Sequence, residues 1–487
     1  MYNAYVTRLK NVRPHSNADR MLLADCFGNT ICVGLNAKNG DIGIYFPTDG
    51  QLSVEYAEQN NLVRKKDENG KNIGGYLDPE KRNITAIKLR GEKSDGLFMP
   101  LESLEYTGVD ISTLTEGTII NIVNGHEICC KYIPRQKTSS NNGGGKVNKT
   151  RKKKVAVAPL FAEHADTEQL AYNLNAFKAG DFVEITLKMH GTSGRTGYLP
   201  IFKGYQSRFP LFNRLANMKN PPKGAYARKL YDRAVAFSVP VYDWGYVSGT
   251  RRVVLEDFEG GFYGDNSFRE SHAKFFEGKL QKGETVYYEI VGFTNTGAPI
   301  MGTVDNKKTQ DKEFIKKYGK TTTFSYGCAP SDEEKPQSAC YVYRMTMTNE
   351  DGFVTEYSPD FMRYRCEQIG VKYVPVLWKG IIPSVNSDGL VQSDDFVADE
   401  NGQFKEWIFK TPGEYIKDIA EQYYDGPDPV GLTHVREGVV VRIVNRPKFA
   451  AFKHKNFSFK LLSGIAIQQL DDTDAINNLS EDILSEM

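Results

Sequence analysis

A lysine amine can attack an electrophile once its proton is removed and a rigid element aims it. Lys188 has that setting. The run Phe182-Val183-Glu184-Ile185-Thr186-Leu187 alternates as a half-buried strand does, with Val183, Ile185 and Leu187 on one face. The strand ends at Lys188-Met189-His190, and Gly191-Thr192-Ser193-Gly194 reads as a turn. The amine then faces whatever that loop encloses. Six further segments carry residues able to do chemistry. Gln169 closes His164-Ala165-Asp166-Thr167-Glu168-Gln169. Arg251 and Arg252 end Ser248-Gly249-Thr250-Arg251-Arg252. Glu289 lies within Tyr287-Tyr288-Glu289-Ile290-Val291-Gly292. Tyr341 and Tyr343 flank Val342, Glu437 precedes Gly438-Val439-Val440-Val441-Arg442, and Lys453 and Lys455 flank His454. Each also has a bland reading. Glu289 suits an exposed strand edge, Glu437-Gly438 a turn before a strand, and the two lysines a solvent-facing stripe.

These residues need a frame. The chain has 487 residues, room for two to four domains, and 40% hydrophobic residues, with 27 Tyr and 27 Phe, to build sizeable cores. Its formal net charge of +1 gives no argument for a nucleic-acid partner, so local basic surfaces would have to supply one. Seven cysteines without a CxxC pair point to a reducing compartment. His126, Cys129 and Cys130 lie close together but lack the second pair of a zinc site. There is no signal-peptide pattern and no run of 18 apolar residues, so a soluble cytoplasmic protein with no membrane partner is expected.

Short strands are predicted over 2–9, 21–27, 30–33, 43–46, 84–89 and 118–123, with turns at Asn29 and Asn39-Gly40. Strands at this spacing suggest a small closed barrel over residues 1–133. Residues 134–158 read as a flexible linker whose basic run, Arg151-Lys152-Lys153-Lys154, is a solvated tether. Residues 159–465 read as one α+β domain, with a helix over 266–278 capped by Asp265 and a strand over 284–291. The turn-rich intervals 200–245, 293–335 and 370–430 read as insertions, and 466–487 as an acidic tail.

Taken in order, the chemical segments resemble the motifs of the covalent nucleotidyltransferase superfamily, which includes DNA ligases, RNA ligases and mRNA capping enzymes. Lys188-x-His190-Gly191 is similar to the nucleophile motif. Arg251 resembles the arginine motif that follows it. Glu289 sits in a strand like the family's aromatic-x-Glu strand, and Tyr341-Val342-Tyr343 is similar to the aromatic strand that stacks on the base. Glu437-Gly438 and Lys453-x-Lys455 complete the set. His190 stands where DNA ligases and capping enzymes usually carry Asp, and a histidine followed by Gly-Thr-Ser resembles the nick-sealing RNA ligases. Only 32 residues follow Lys455, too few for the C-terminal OB domain of those other enzymes. Instead, His15-Ser16-Asn17-Ala18-Asp19-Arg20-Met21 and Ile87-Lys88-Leu89-Arg90-Gly91-Glu92-Lys93-Ser94-Asp95-Gly96-Leu97 look like the tRNA-binding OB domains of some aminoacyl-tRNA synthetases. With the run ending at Gln169, the arrangement is similar to the Deinococcus RNA ligase family over nearly the whole chain. The implied fold is α+β: an N-terminal OB-like β-barrel, then an ATP-grasp-like nucleotidyltransferase domain of antiparallel sheets flanked by helices.

The resemblance implies an ATP-dependent RNA ligase. Lysine titrates near ~10.4 unperturbed, so Lys453, Lys455 and a metal ion would be needed to free the Lys188 amine. Lys188 would attack the α-phosphate of ATP, with Lys453 and Lys455 stabilising the developing charge. Gln169 would contact the nucleotide. Glu289 and Glu437 would hold the ribose or waters on Mg²⁺ or Mn²⁺. Tyr343 would stack on adenine, with Tyr341 the competing choice. His190, Arg251 and Arg252 would meet phosphates in the later steps, and Lys88, Arg90 and Lys93 would bind nucleic acid through the barrel. The implied partner is a nicked duplex with an RNA 3′-OH strand, met by a monomer. The alternatives are a capping-type guanylyltransferase and a catalytically inactive nucleic-acid-binding protein.

Overall fold

Alternation of apolar residues sets the central sheet. The computed structural model describes residues 2–65, 68, 75–133, 156–165, 167–218, 222, 224–255, 258, 266–331, 334–398 and 403–472. Within it, Phe182–Leu187 lies between Val376–Ile381 and Gly438–Ile443, antiparallel to both. The sheet continues through Ala450–Lys455 to a short parallel strand, Glu168–Gln169. Val183, Ile185 and Leu187 are buried, as their spacing predicts. Helix Pro412–Tyr423 covers this face, sharing Ile416 and Ala420 with the core of Val183, Ile185, Val439 and Val441. A capping box fixes where that helix starts. The Thr411 hydroxyl accepts from the Glu414 N–H at 3.3 Å, and the Glu414 carboxylate accepts from the Thr411 N–H at 2.9 Å.

Side chains two apart in a strand share a face. The pairs Glu184 with Arg442, Thr186 with Val440, Val440 with Lys453, and Gly438 with Lys455 therefore all lie on the face away from the helix. That face is the floor of a cleft.

A second sheet forms the opposite wall. Thr192–Gln206 pairs with Val239–Gly249 on one side and Glu284–Gly292 on the other, and the latter pairs with Ser338–Thr348. The expected turn at 191–194 is not formed: Thr192 to Gly197 are laddered against Thr285 to Ile290. The chain crosses between sheets at 188–191 instead. Gly191 is required there, because a Cβ would stand 2.3 Å from the Ile290 carbonyl oxygen. The predicted helix is Ser267–Phe275, with Asn266 at its N-cap; Asp265 lies outside the described residues.

Two of the three intervals read as insertions are partly core. Interval 370–430 supplies edge strand Val376–Ile381 and the covering helix, and 293–335 brings Phe324 and Tyr326 into the main core. Interval 200–245 is the outer part of the hairpin Thr192–Gln206/Val239–Gly249, with helices Pro210–Ala216 and Ala225–Ala236 at its tip. Turn-rich composition reveals neither non-local pairing. Helix Phe457–Asp472 buries Phe459 and Leu462 and runs into the expected tail; 473–487 lie outside the described residues, as does most of the expected linker, 134–155.

In the N-terminal part, Ala4–Arg8, Leu22–Cys26, Asn29–Val33 and Ile42–Phe46 fall where the pattern puts strands. A closed OB barrel is not shown. The described strands divide among open sheets, one of them ordered Leu97–Pro100, Ile42–Phe46, Ala4–Arg8, Ile119–Ile120. The predicted strand over 118–123 breaks at Asn121, whose side-chain oxygen accepts from the Ile122 N–H at 2.8 Å, and its halves join different sheets. This part rests on the remainder through Tyr172, stacked on Tyr5 with centroids 4.7 Å apart, and Lys460 Nζ, 2.7 Å from Asp95 Oδ2. No helix among the described residues is long and apolar enough to cross a membrane.

Candidate active site

Lys188 is the first residue past its strand, and its N–H donates to the Gly438 carbonyl at 3.0 Å. Gly438 has φ +147°, and a Cβ there would lie 2.0 Å from the His454 carbonyl oxygen. Glycine lets the two strand ends approach this closely, which brings Glu437 against Lys188. Glu437 Oε1 lies 2.9 Å from Lys188 Nζ and 3.4 Å from Lys455 Nζ, and Oε2 lies 3.6 Å from His190 Nδ1. Two amines and an imidazole thus converge on one buried carboxylate. The family resemblance gives Glu437 a ribose or metal contact; the structure sets it against the nucleophile itself.

His190 is boxed in. Its ring stands edge-on to Phe324 and Phe459, with centroids 4.6 and 4.7 Å away, and its backbone N–H donates to the Tyr326 hydroxyl at 2.7 Å. Burial, reinforced by the negative charge of Glu437, pushes that hydroxyl well above the usual tyrosine range. Neither Phe324 nor Tyr326 carries a sequence signal, since each is over 130 residues from His190.

A cleft of about 880 Å³, its open mouth included, lies over the floor. Of the expected residues, Lys188, Glu289, Arg251 and Tyr343 line it. Arg252 is not among its lining residues. Tyr343 is there because of a bulge. The ladder slips between Tyr287 and Tyr288, which face Arg344 and Val342, so Tyr343 is the extra residue. It meets His164 edge-on at 5.0 Å, whereas Tyr341 is 5% exposed and belongs to the core. Glu289 is 8% exposed, in register with Ser193 and Tyr341.

Lys453 and Lys455 share the floor face, which overturns the reading of a solvent stripe for Lys455 at least. Gln169 is in register with Lys453 on the parallel strand but does not line the cleft; Thr167 does. Lining residues missed in the sequence include Glu184 and Arg442, although their strands' alternation already put Glu184 on the face of Lys188. Arg363 grips Glu184 with both nitrogens, at 2.9 and 2.8 Å, from a helix 179 residues away, a contact with no local signal. Arg269 is also buried, donating to the Ser193 carbonyl at 2.9 Å and to the Thr192 hydroxyl.

In the N-terminal part, Lys88 is tied to Asp311 by an ion pair within the fold, while Arg90 sits at an exposed turn with φ +47°. The two pieces that resemble OB modules pack together, with His15 Nε2 3.1 Å from the Leu89 oxygen and Ser16 donating to Glu92 at 2.6 Å. His126 pairs with Glu55, Nδ1 to carboxylate oxygen, at 3.0 Å.

No group of three or more His, Cys, Asp or Glu able to hold a metal occurs among the described residues. Two buried carboxylates, Glu289 and Glu437, nonetheless fit Mg²⁺ or Mn²⁺, which keep several waters and take further oxygens from substrate phosphates.

No protein-family model matches the chain, and no curated protein matches it in sequence. Solved structures are similar. One is a Naegleria gruberi RNA ligase lysine-to-alanine mutant with ATP and Mn, at 14% identity and TM-score 0.50, covering 94% of this chain and 98% of that one. Another is an apo lysine-to-alanine mutant of the Naegleria gruberi RNA ligase termed R4a, also at 14% identity and TM-score 0.50, covering 94% and 97%. The chain therefore shares the mixed α+β fold of an RNA ligase over nearly its full length.

Proposed function

We propose that the chain is an ATP-dependent RNA ligase that seals 3′-OH/5′-phosphate nicks in a duplex through AMP carried on Lys188. The observation that carries this reading is the convergence of Lys188, His190 and Lys455 on buried Glu437, beside a cleft that presents Glu289, Arg251 and Tyr343. Adenine stacks on Tyr343, and the triphosphate runs over the floor toward Lys453 and Lys455. The Lys188 ammonium passes a proton to Glu437 Oε1, the acceptor beside it. Nζ then attacks the α-phosphorus, the bond from that phosphorus to the bridging oxygen breaks, and pyrophosphate leaves. A phosphoramidate remains on Lys188. Lys453 and Lys455 stabilise charge on the non-bridging oxygens. A hydrated Mg²⁺ or Mn²⁺ held by Glu289 and Glu437 would neutralise phosphate charge. In the next steps AMP moves to a 5′-phosphate, and the 3′-hydroxyl attacks that phosphate and expels AMP. Arg251 and His190 serve these phosphates.

The similar Naegleria ligase was captured with ATP and Mn, in keeping with this cofactor pair. The Deinococcus type of ligase, a monomeric cytoplasmic enzyme whose OB-like N-terminal segment presents Arg90 to the duplex, is the form we favour. Transfer of label from α-labelled ATP but not GTP to the protein, followed by closure of a nicked RNA duplex, tests the reading. Label from GTP alone would replace it with a guanylyltransferase.

A further inference from the structure

The hairpin Thr192–Gln206/Val239–Gly249 is much longer than its place in the sheet requires. Its roots are at the site: the first strand leaves from the loop after Lys188, and the second returns one residue before Thr250-Arg251. Thr192 to Gly197 stay laddered in the sheet, and the nine residues beyond them, 198–206, reach roughly 30 Å outward at ~3.3 Å per residue. The tip is built, not slack. Asn217 clamps Tyr205, accepting from its N–H at 2.7 Å and donating to its carbonyl at 2.6 Å. A Cβ at Gly204 would stand 2.4 Å from that side chain.

Charge on this arm is lopsided. Residues 201–238 carry eight lysines and arginines and one carboxylate, Asp232, in a chain whose net charge is +1. Lys203, Arg208, Arg214, Lys229 and Arg233 are exposed, while Asp232 is engaged by Arg228 at 3.3 Å. The other projecting hairpin, 391–410, has five carboxylates and two lysines, so basic charge is not a general property of this surface. Aromatic rings stand out among the arm's cations: Phe209 is 61% exposed, Tyr226 86% and Phe237 69%. Cations that track phosphates and rings that stack on bases are the two components of a sequence-tolerant nucleic-acid surface.

We propose that residues 201–238 form a polynucleotide-binding arm that holds the RNA flanking the reactive end and leads it to Lys188. The proposal deepens the ligase reading and rests on it for the substrate class. The test compares the full-length protein with Arg208→Ala/Arg214→Ala/Lys229→Ala/Arg233→Ala, measuring affinity for a fluorescent nicked RNA duplex across a salt series. The variant is expected to bind at least tenfold more weakly near 0.1 M salt and to lower the slope of log K against log salt by about 3, at ~0.7–0.9 for each phosphate it ceases to neutralise. Its labelling by ATP should match wild type, which shows that the fold and the cleft are intact. The companion Arg208→Lys/Arg214→Lys/Arg233→Lys should keep the slope. Unchanged affinity and slope in the alanine variant would overturn the arm while leaving the ligase reading in place. Arm-dependent RNA binding by a wild type that takes no label from ATP would keep the arm and remove the ligase. Arm-dependent binding to vesicles containing phosphatidylserine, with RNA affinity unchanged, would overturn the proposal in favour of a membrane surface.

Discussion

Glu437 is the residue on which the site turns, since one of its oxygens faces both Lys188 and Lys455. Glu437→Gln keeps the shape and removes the charge and the proton acceptor. Single-turnover labelling from α-labelled ATP should slow by about 10²-fold or more, the scale of lost acid–base assistance; an unchanged rate would remove Glu437 from the proton path. Tyr326 supports the same corner from below. Tyr326→Phe leaves the backbone N–H of His190, part-buried, without its acceptor, which should cost about 0.5–1.5 kcal/mol in urea denaturation and also slow labelling. Tyr343 separates binding from chemistry. Tyr343→Ala should raise the ATP KM at least fivefold, since a base stacked on an aromatic ring is worth ~1–3 kcal/mol, whereas Tyr343→Phe should hold it within about threefold. An unchanged KM for both would mean that adenine lies elsewhere.

The strands could be read from alternation, and so could much of the site they carry. Val183, Ile185 and Leu187 fixed one face of their strand, which necessarily put Glu184, Thr186 and Lys188 on the other. The pattern does not say which strands are neighbours. The register between Gly438–Ile443 and Ala450–Lys455 is what turns Lys455 toward Glu437. Tyr343 could not be told from Tyr341 because a bulge, not the sequence period, decides which ring faces the cleft. Phe324, Tyr326 and Arg363 were out of reach because they arrive from segments distant in the chain, the first two from an interval whose composition suggests loops. Gly191 is where element geometry and chemistry meet, because the two sheets pass within contact distance there. Gly191→Ala must move the Ile290 backbone, and melting should show a loss of about 1–3 kcal/mol, as overpacking of a tight core typically gives. A variant as stable as wild type would show that the crossing has room to spare.

The molecule as a whole buries histidines that stay neutral. Burial holds His272 down to about 4, and it also pushes His434 and His454 below the ordinary 6.5. Below pH 6.5 the unfolded chain protonates these rings while the folded chain resists, so the unfolded state binds more protons. Stability should therefore fall as pH drops from 6.5 toward 4, read as a declining urea midpoint, and His272→Gln should flatten that decline. An equally steep decline in the variant would assign the loss to other groups. The two sheets meet at one amine, Lys188, and the most direct measurement asks whether that amine takes AMP. Purified protein, stripped of bound AMP with pyrophosphate, is incubated with α-labelled ATP and Mg²⁺ or Mn²⁺ beside Lys188→Ala and run on a denaturing gel. Label retained by wild type and absent from the variant is the predicted result. A folded wild type that takes no label, or a Lys188→Ala protein that still does, would contradict it.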